Sequence, residues 1–419
     1  MITAVLIGAG QRGARVYAEY ARLHPNEMKV VAVAEPDEER RNLFAKEHQL
    51  QEEAVFSHWE ELLAKGKIAD CCMICTQDRF HTEPVKKALE LGYHVMCEKP
   101  MSPDPKECIE MGQYAKKYHR TLTICHVLRY SPFFTKVKEI LDSGAIGDMV
   151  SIQHIECVGF WHQAHSFVRG NWRNSNETSP MILQKSCHDM DILSWLVGKP
   201  CLEVSSFGSL KHFKKENAPE GAGTYCLKDC KAEASCPYSA NKIYLKDEEG
   251  YSETFRKVVA LSGEKADVRK ALMDGPYGRC VYHCDNNVVD HQVVNLLFAD
   301  GITVSFTMCA FTYEESRVIN IMGTRGQITG DMVNNKIEVR DFLTGNHTAC
   351  RLKTGSSGHS GSDEKFMQGF IRTVETDGQY SVSSAEVSVN SHLIALAAEE
   401  SRVTGKTVNM EEYRQTRSF

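Results

Sequence analysis

Gly8, Gly10 and Gly13 come directly after the apolar run Ala4 to Ile7 and directly before a helical pattern. Glycines spaced G-x-G-x-x-G between a strand and a helix suit one task, bringing backbone close to a pyrophosphate. Gly8 permits the tight turn, Gly10 lets the backbone approach the ligand, and Gly13 lets helix pack on strand. The helix N-terminus adds unpaired N–H groups and the positive end of its dipole. A second apolar run, Met28 to Ala34, ends in Glu35, where a carboxylate would accept hydrogen bonds from an adenosine ribose diol. Glu35 would repel a 2′-phosphate and so favours NAD, while Arg40 and Arg41 keep NADP open.

Three further stretches carry reactive or ligating side chains. Phe160-Trp-His-Gln-Ala-His-Ser-Phe-Val-Arg169 offers aromatic faces for C–H patches, with His162, His165 and Arg169 for hydroxyls. With Trp161 it reads as a substrate loop or, more plainly, as a partly exposed connection. Cys226-x3-Cys230-x5-Cys236 lies on a polar segment. It admits free thiols, a disulfide, or a structural zinc with Cys280 or Cys284 as fourth ligand. Gly355 to Gly361, with His359 inside and Asp363 after it, reads as a mobile surface loop or as a lid over a site.

The elements that must position these residues follow from the apolar pattern. Strands are expected at Ala4–Ile7, Met28–Ala34, Ala69–Cys75, Tyr93–Cys97 and Thr121–Cys125, with helices between them. That alternation gives an α/β fold with a doubly wound parallel sheet and right-handed crossovers. Beyond residue 124 it stops. Val150–Val158, Val288–Phe298, Thr303–Ala310 and Ser316–Met322 read as strands of a mixed, largely antiparallel open sheet, with helices at Pro132–Ser143, Met190–Val197 and Ala385–Val403. The expected division is 1–124 and 125–419, with an excursion at about 211–287.

Bulk properties bound the rest. The 419 residues are 42% hydrophobic and 25% charged with a net charge of −6, which describes a soluble globular chain that does not bind nucleic acid. No apolar stretch reaches transmembrane length. With a first strand beginning near residue 2, no signal peptide is expected. The 16 cysteines include many inside apolar strands, where thiols act as small hydrophobes in a reducing cytoplasm.

The chain resembles the Gfo/Idh/MocA oxidoreductases, the family of glucose–fructose oxidoreductase and inositol dehydrogenase. The motifs that carry this are Gly8-Ala-Gly-Gln-Arg-Gly13, Thr76-Gln-Asp-Arg-Phe-His81, Gly92-Tyr-His-Val-Met-Cys-Glu-Lys-Pro100, Arg129-Tyr-Ser-Pro132, Gly170-Asn-Trp-Arg173 and His188-Asp-Met-Asp191. The resemblance implies a Rossmann domain followed by an α+β domain. Gln11, Arg12, Thr76, Gln77, His81, Glu98, Trp172 and Arg173 would then line the nicotinamide cofactor. Lys99 would donate to a substrate hydroxyl, with His126, Arg129 and Tyr130 also at the substrate, and His359 would join them if its glycine–serine loop closes on the site. Many relatives place an Asp four residues before the motif histidine; here that position is Gln184, which is no base. His188 is therefore the expected base, and Lys185 a polar partner or an anchor for an acidic group.

Two functions follow from that reading. One is an NAD-dependent dehydrogenase of a secondary hydroxyl on a sugar, sugar derivative or cyclitol. The other is a glycosidase that oxidises a sugar hydroxyl, eliminates, adds water and reduces again. A sensor on a dehydrogenase scaffold is a third. The resemblance also implies a homodimer or homotetramer.

Overall fold

The computed structural model describes residues 1–246, 252–352, 358–380 and 383–417, the side chains of 358–360 excepted. The first sheet has six strands: β1 (Ile2–Ile7), β2 (Met28–Ala34), β3 (Val55–Phe56), β4 (Cys71–Ile74), β5 (His94–Cys97) and β6 (Leu122–Ile124). All pair in parallel, in the order β3-β2-β1-β4-β5-β6. Their near-continuous apolar sequences are what a sheet covered on both faces requires. Asp37 and Asp104 cap the helices Glu38–Glu47 and Pro105–Lys117 by accepting from the backbone N–H groups of Arg40 and Lys106.

One face of this sheet is completed by a distant segment. Phe366, Met367, Phe370 and Ile371, on the helix Gly358–Glu375, pack with Ala4, Leu6 and Tyr17 in one apolar cluster. The glycine–serine loop expected at Gly355–Gly361 is thus helical from Gly358 onward. The pattern was masked by small residues at the helix start, and the apolar stripe that drives burial begins only at Phe366.

The second sheet has nine strands: β7 (Met149–Cys157), β8 (Cys201–Ser209), β9 (His291–Phe298), β10 (Thr303–Cys309), β11 (Ser316–Gly323), β12 (Gly326–Asp331), β13 (Lys336–Asp341), β14 (His347–Arg351) and β15 (Val408–Asn409). Their order is β14-β13-β12-β11-β7-β10-β9-β8-β15. Only β7 and β10 pair in parallel; the other contacts are antiparallel. The helices Cys187–Val197 and Ala385–Thr404 supply buried apolar residues to the core on one side of it.

Residues 211–287 carry helices Ala240–Leu245, Ser252–Val259 and Lys265–Asp274, with no strand among their described residues. They are not merely polar. Phe213, Tyr238, Tyr244, Val268, Leu272 and Tyr282 form a separate apolar core. Among the described residues no helix is long and apolar enough to cross a membrane.

Candidate active site

The loops after β1, β4 and β5 converge at the carboxyl edge of the parallel sheet, where open α/β sheets bind ligands. Gly8 has φ +90°, and a Cβ there would lie 2.6 Å from the carbonyl oxygen of Cys75. A Cβ on Gly13 would lie 2.2 Å from the carbonyl oxygen of Gly8, whereas one on Gly10 would meet nothing within 4 Å. The outer two glycines are therefore demanded by the fold, and the middle one borders open space into which its backbone is accessible. This fits a pyrophosphate. Glu35 sits beside the loop, accepting from Ala9 N–H at 2.7 Å and Asp37 N–H at 3.0 Å. Each of its oxygens retains a lone pair for a ribose hydroxyl. Gln11 is exposed at the helix start.

Arg12 is more constrained than the sequence indicates. Its Nε donates to Glu98 Oε1 at 2.8 Å, and its Nη2 donates to Asp363 Oδ1 at 2.8 Å. Tyr17 donates its hydroxyl to the same Glu98 oxygen at 2.6 Å, and Lys99 N–H donates to Oε2 at 2.8 Å. Burial works against the Glu98 carboxylate, but Arg12 and Lys99 beside it hold its pKa below the usual value. The clamp pins the β5 loop and ties it to the helix Gly358–Glu375. Asp363 is a member that only the folded chain brings in.

Lys99 follows at once, and its peptide bond to Pro100 is cis. Its Nζ donates to the carbonyl oxygen of Gln184 at 2.9 Å and lies 6.0 Å from the centre of the half-exposed Trp172 ring. Gln184 ends the short helix Met181–Gln184, and its side chain reaches the buried Asp78 at 3.4 Å. Asp78 also accepts from Ser179 Oγ, and burial raises its pKa. His188 lies in the first turn of the helix Cys187–Val197, one turn beyond Gln184. The lysine of the parallel sheet and the histidine of the second half are thus brought to one locality.

Lys185 is buried. Its Nζ lies 2.5 Å from Glu315 Oε1, 3.3 Å from Glu156 Oε1 and 3.5 Å from His162 Nδ1. Burial would lower its pKa, but Glu315 and Glu156 more than offset this and raise it. Burial likewise disfavours the Glu315 carboxylate, yet Lys185 and His162 hold it well below its ordinary value. Glu156 is wholly buried, and burial pushes it up to about 7 against the pull of Arg317 and Lys185. Arg317 bridges Glu156 and Asp189 at 2.8 Å each, and His154 contacts Asp189 at 2.9 Å. Lys185 is therefore a fixed cation at the end of a buried ionic network. Glu156, Glu315 and Arg317 lie on or beside β7 and β11; sequence reasoning missed them because pairing of those strands is what puts them together.

Comparison with known proteins agrees with this geometry. Residues 2–126 match the family described as an oxidoreductase family with an NAD-binding Rossmann fold, and residues 138–410 match its C-terminal alpha/beta domain. The chain belongs to the Gfo/Idh/MocA oxidoreductase family. It is 22% identical to YteT of Bacillus subtilis over 84% of each chain. It is 28% identical to the 2,7-anhydro-N-acetylneuraminate hydratase of Escherichia coli, over 50% of this chain and 53% of that one. An Agrobacterium radiobacter oxidoreductase solved with NAD+, L-tartaric acid and magnesium shares the fold. Its TM-score is 0.69 and its identity 16%, over 98% of this chain and 99% of that one.

Within this Gfo/Idh/MocA scaffold several expected contacts are redirected. His81 is buried, with Nδ1 2.9 Å from Pro100 O and Nε2 3.0 Å from Thr76 O, so it braces two loops instead of facing a cofactor. Thr76 Oγ1 donates to Phe80 O at 3.2 Å, and Gln77 is exposed. Arg129 forms a buried bidentate pair with Asp191 at 2.7 and 2.8 Å, which removes it from substrate binding. Tyr130 packs edge-on against Phe366 beneath the helix Gly358–Glu375. His126 is fully buried behind His188, ring centres 6.0 Å apart, and burial pushes it down to about 4.

The 160–169 stretch divides in the same way. His162 joins Lys185 and Glu315, and Trp161 stacks on it with ring centres 5.7 Å apart. His165 is instead sandwiched between Phe255 and Tyr277, with Nδ1 3.0 Å from Tyr244 Oη. Arg169 donates to the carbonyl oxygens of Arg279 and Tyr238 at 2.7 Å each. Both belong to the core of 211–287, because that segment folds onto them. Arg173 makes a bidentate pair with Asp285 at 2.8 and 2.9 Å, another brace to the same segment. The His359 side chain lies outside the described residues. Cys226, Cys230, Cys236, Cys280 and Cys284 are all unpaired. Among the described residues no three His, Cys, Asp or Glu side chains are grouped to hold a metal ion, so the expected zinc set is not formed.

Proposed function

We propose that this oxidoreductase oxidises a secondary hydroxyl of a sugar, sugar derivative or cyclitol, with residues 1–124 holding NAD and 125–419 holding the substrate. The observation that carries the reading is Lys99 Nζ held at the Gln184 carbonyl, 2.9 Å away, one helical turn before His188. Lys99 donates to the substrate hydroxyl and lowers its pKa, and His188 takes the proton. A nicotinamide held by the loops after β1, β4 and β5 would supply the hydride acceptor. Lys185, fixed by Glu156 and Glu315, and the neighbouring His162 orient the remaining substrate oxygens. Glu35 supports NAD over NADP. Arg41, which donates to Glu35 O at 2.7 Å, and Arg40, paired with Asp37, are already engaged.

A second reading is a redox glycosidase or lyase, in which oxidation is transient and the cofactor is regenerated. It is favoured by the similarity to a hydratase acting on an anhydro sugar. One experiment separates them. The purified protein is offered free polyols, cyclitols and aryl glycosides with NAD. Stoichiometric NADH from a polyol supports the dehydrogenase. Aglycone release without net NADH replaces it with the second reading, and neither signal across the panel overturns both.

The proposal includes a cytoplasmic homodimer or homotetramer. Support for self-association comes from the open face of the nine-stranded sheet. There Val318, Ile155, Thr307, Val293 and Phe207 lie side by side across β11, β7, β10, β9 and β8, and Phe207 is 62% exposed. An apolar row of this kind costs solubility unless it is covered.

A further inference from the structure

Apart from Lys99, the cations that the sequence suggests for the site are already paired within the protein or turned away from it. Arg12 is held by Glu98 and Asp363, Arg129 by Asp191, and Arg173 by Asp285. Arg169 is spent on carbonyl oxygens of 211–287. Lys185 is held by Glu315 and Glu156. The network around Lys185 carries three carboxyl groups, on Glu156, Asp189 and Glu315, against the two cations Lys185 and Arg317. It has no surplus positive charge, whether or not Glu156 holds a proton. Burial and Lys185 lower the pKa of His162, so at neutral pH it adds no cation. An acidic substrate group reaching Lys185 would have to displace carboxylates already bound there.

Glu315 is the open end of this network. Its side chain is 34% exposed, whereas that of Lys185 is 11% and that of Glu156 is wholly buried. Lys185 Nζ and His162 Nδ1 both meet it at Oε1, at 2.5 and 3.2 Å. Among the described residues none donates to Oε2, which leaves it as an acceptor. The loop that carries Glu315 is fixed, because Gly159 N–H donates to Thr312 Oγ1 at 2.9 Å and Trp161 Nε1 to Tyr313 O at 3.2 Å. A wall of rings runs from His162 toward Lys99. His162 and Phe167 are 5.8 Å apart, Phe167 and Trp172 are 5.7 Å apart, and the Trp172 ring centre lies 6.0 Å from Lys99 Nζ. An acceptor at Glu315 and a donor at Lys99 thus stand at the two ends of one wall.

A carboxylate oxygen so placed acts oppositely on two classes of substrate. A hydroxyl donates to it, and hydrogen bonds to a charged acceptor are among the stronger ones. A substrate carboxylate is repelled, and like charges brought together reject the wrong partner. We propose that Glu315 sets the substrate class: it accepts a hydroxyl of a neutral polyol and excludes sugar acids. This rests on the reading that Lys99 and His188 mark where the reacting hydroxyl sits. Lys185 then serves to hold Glu315 in place and does not anchor an acidic group.

The test is made on the full chain loaded with NAD, by titrating tryptophan fluorescence with matched pairs. These are D-glucose against D-glucuronate, D-galactose against D-galacturonate, and D-glucitol against D-gluconate. The neutral member should bind tighter by about tenfold or more. In Glu315→Gln, which removes the charge and keeps the shape, most of that preference should vanish, with NAD affinity kept as a check on folding. Equal or tighter binding of the acids by the wild type overturns the proposal, and that result needs no variant to fold. So does a failure to bind any member of any pair, or a preference that survives in a folded Glu315→Gln. NADH is recorded in the same samples. The preference without NADH supports the role of Glu315 and counts against the dehydrogenase. NADH formed equally from acids and neutral members overturns the role of Glu315 and leaves the dehydrogenase standing.

Discussion

The ammonium of Lys99 and the backbone carbonyl of Gln184 meet at 2.9 Å, joining the end of β5 to the short helix that precedes His188. A carbonyl is neutral and gives up its donor when a substrate hydroxyl arrives. Lys99 is thus positioned without being neutralised, unlike Lys185 a residue away from Gln184, which is locked between two carboxylates.

Lys99→Met should lower kcat by about 10²-fold or more, the range expected for loss of a proton-handling group. NAD affinity, read by fluorescence titration, should stay within a few-fold of wild type. Retention of most of the turnover would remove Lys99 from the chemistry.

His188→Gln should abolish the acid limb of the kcat/KM pH profile. In the wild type that limb reports a base that must be unprotonated before it can accept the substrate proton. An unchanged limb in the variant would assign the base elsewhere.

Glu35→Ser should weaken NAD binding by about tenfold to a hundredfold, as loss of hydrogen bonds to a charged group predicts. NADP binding should change less, since the same substitution removes repulsion of the 2′-phosphate. Equal losses in calorimetric titrations would place Glu35 away from the ribose.

Glu156 makes stability depend on pH. Its pKa of about 7 in the folded chain lies above the ordinary 4.5. A raised folded pKa contributes stability that is full below the unfolded value and is lost as pH rises through the folded one. Glu156→Gln should therefore remove a loss of stability between about pH 4.5 and 7. Denaturant midpoints across that window check it. By contrast Lys185→Met, which leaves two carboxylates facing each other, should cost about 3 kcal/mol at neutral pH.

Ile155→Lys places a charge in the middle of the apolar row on the open sheet face. It should shift the molar mass measured by light scattering toward that of a single chain. An unchanged mass would put any self-association on another surface.

Sequence alone carried five of the six strands of the parallel sheet, because each of the five is a short apolar run and each function-bearing loop follows one directly. The five expected strands fall within two residues of expectation, whereas the edge strand β3 is two residues long and too short to show an apolar run. Gly8, Gly10 and Gly13 are legible for the same reason: their roles are local, fixed by φ angles and close approaches within a few residues. So is the placement of Lys99, since a residue after a parallel strand must lie at the carboxyl edge.

What tertiary structure decided was the partners. Arg12, Arg129, Arg169 and Arg173 all read as ligand-facing, and all are held by carboxylates or carbonyls supplied from 62 to 351 residues away. A charged side chain at a site and one in a buried pair have the same sequence. Only the folded chain shows whether a counter-charge reaches it first. Lys185, expected to partner His188 or anchor an acidic group, is instead a buried cation paired with Glu156 and Glu315, which β7 and the loop into β11 deliver. Four cysteines separated by up to 54 positions line one recess because the segment 211–287 folds back on itself around Arg169. Long-range pairing has no local periodicity, and that is the physical reason these contacts could not be read along the chain.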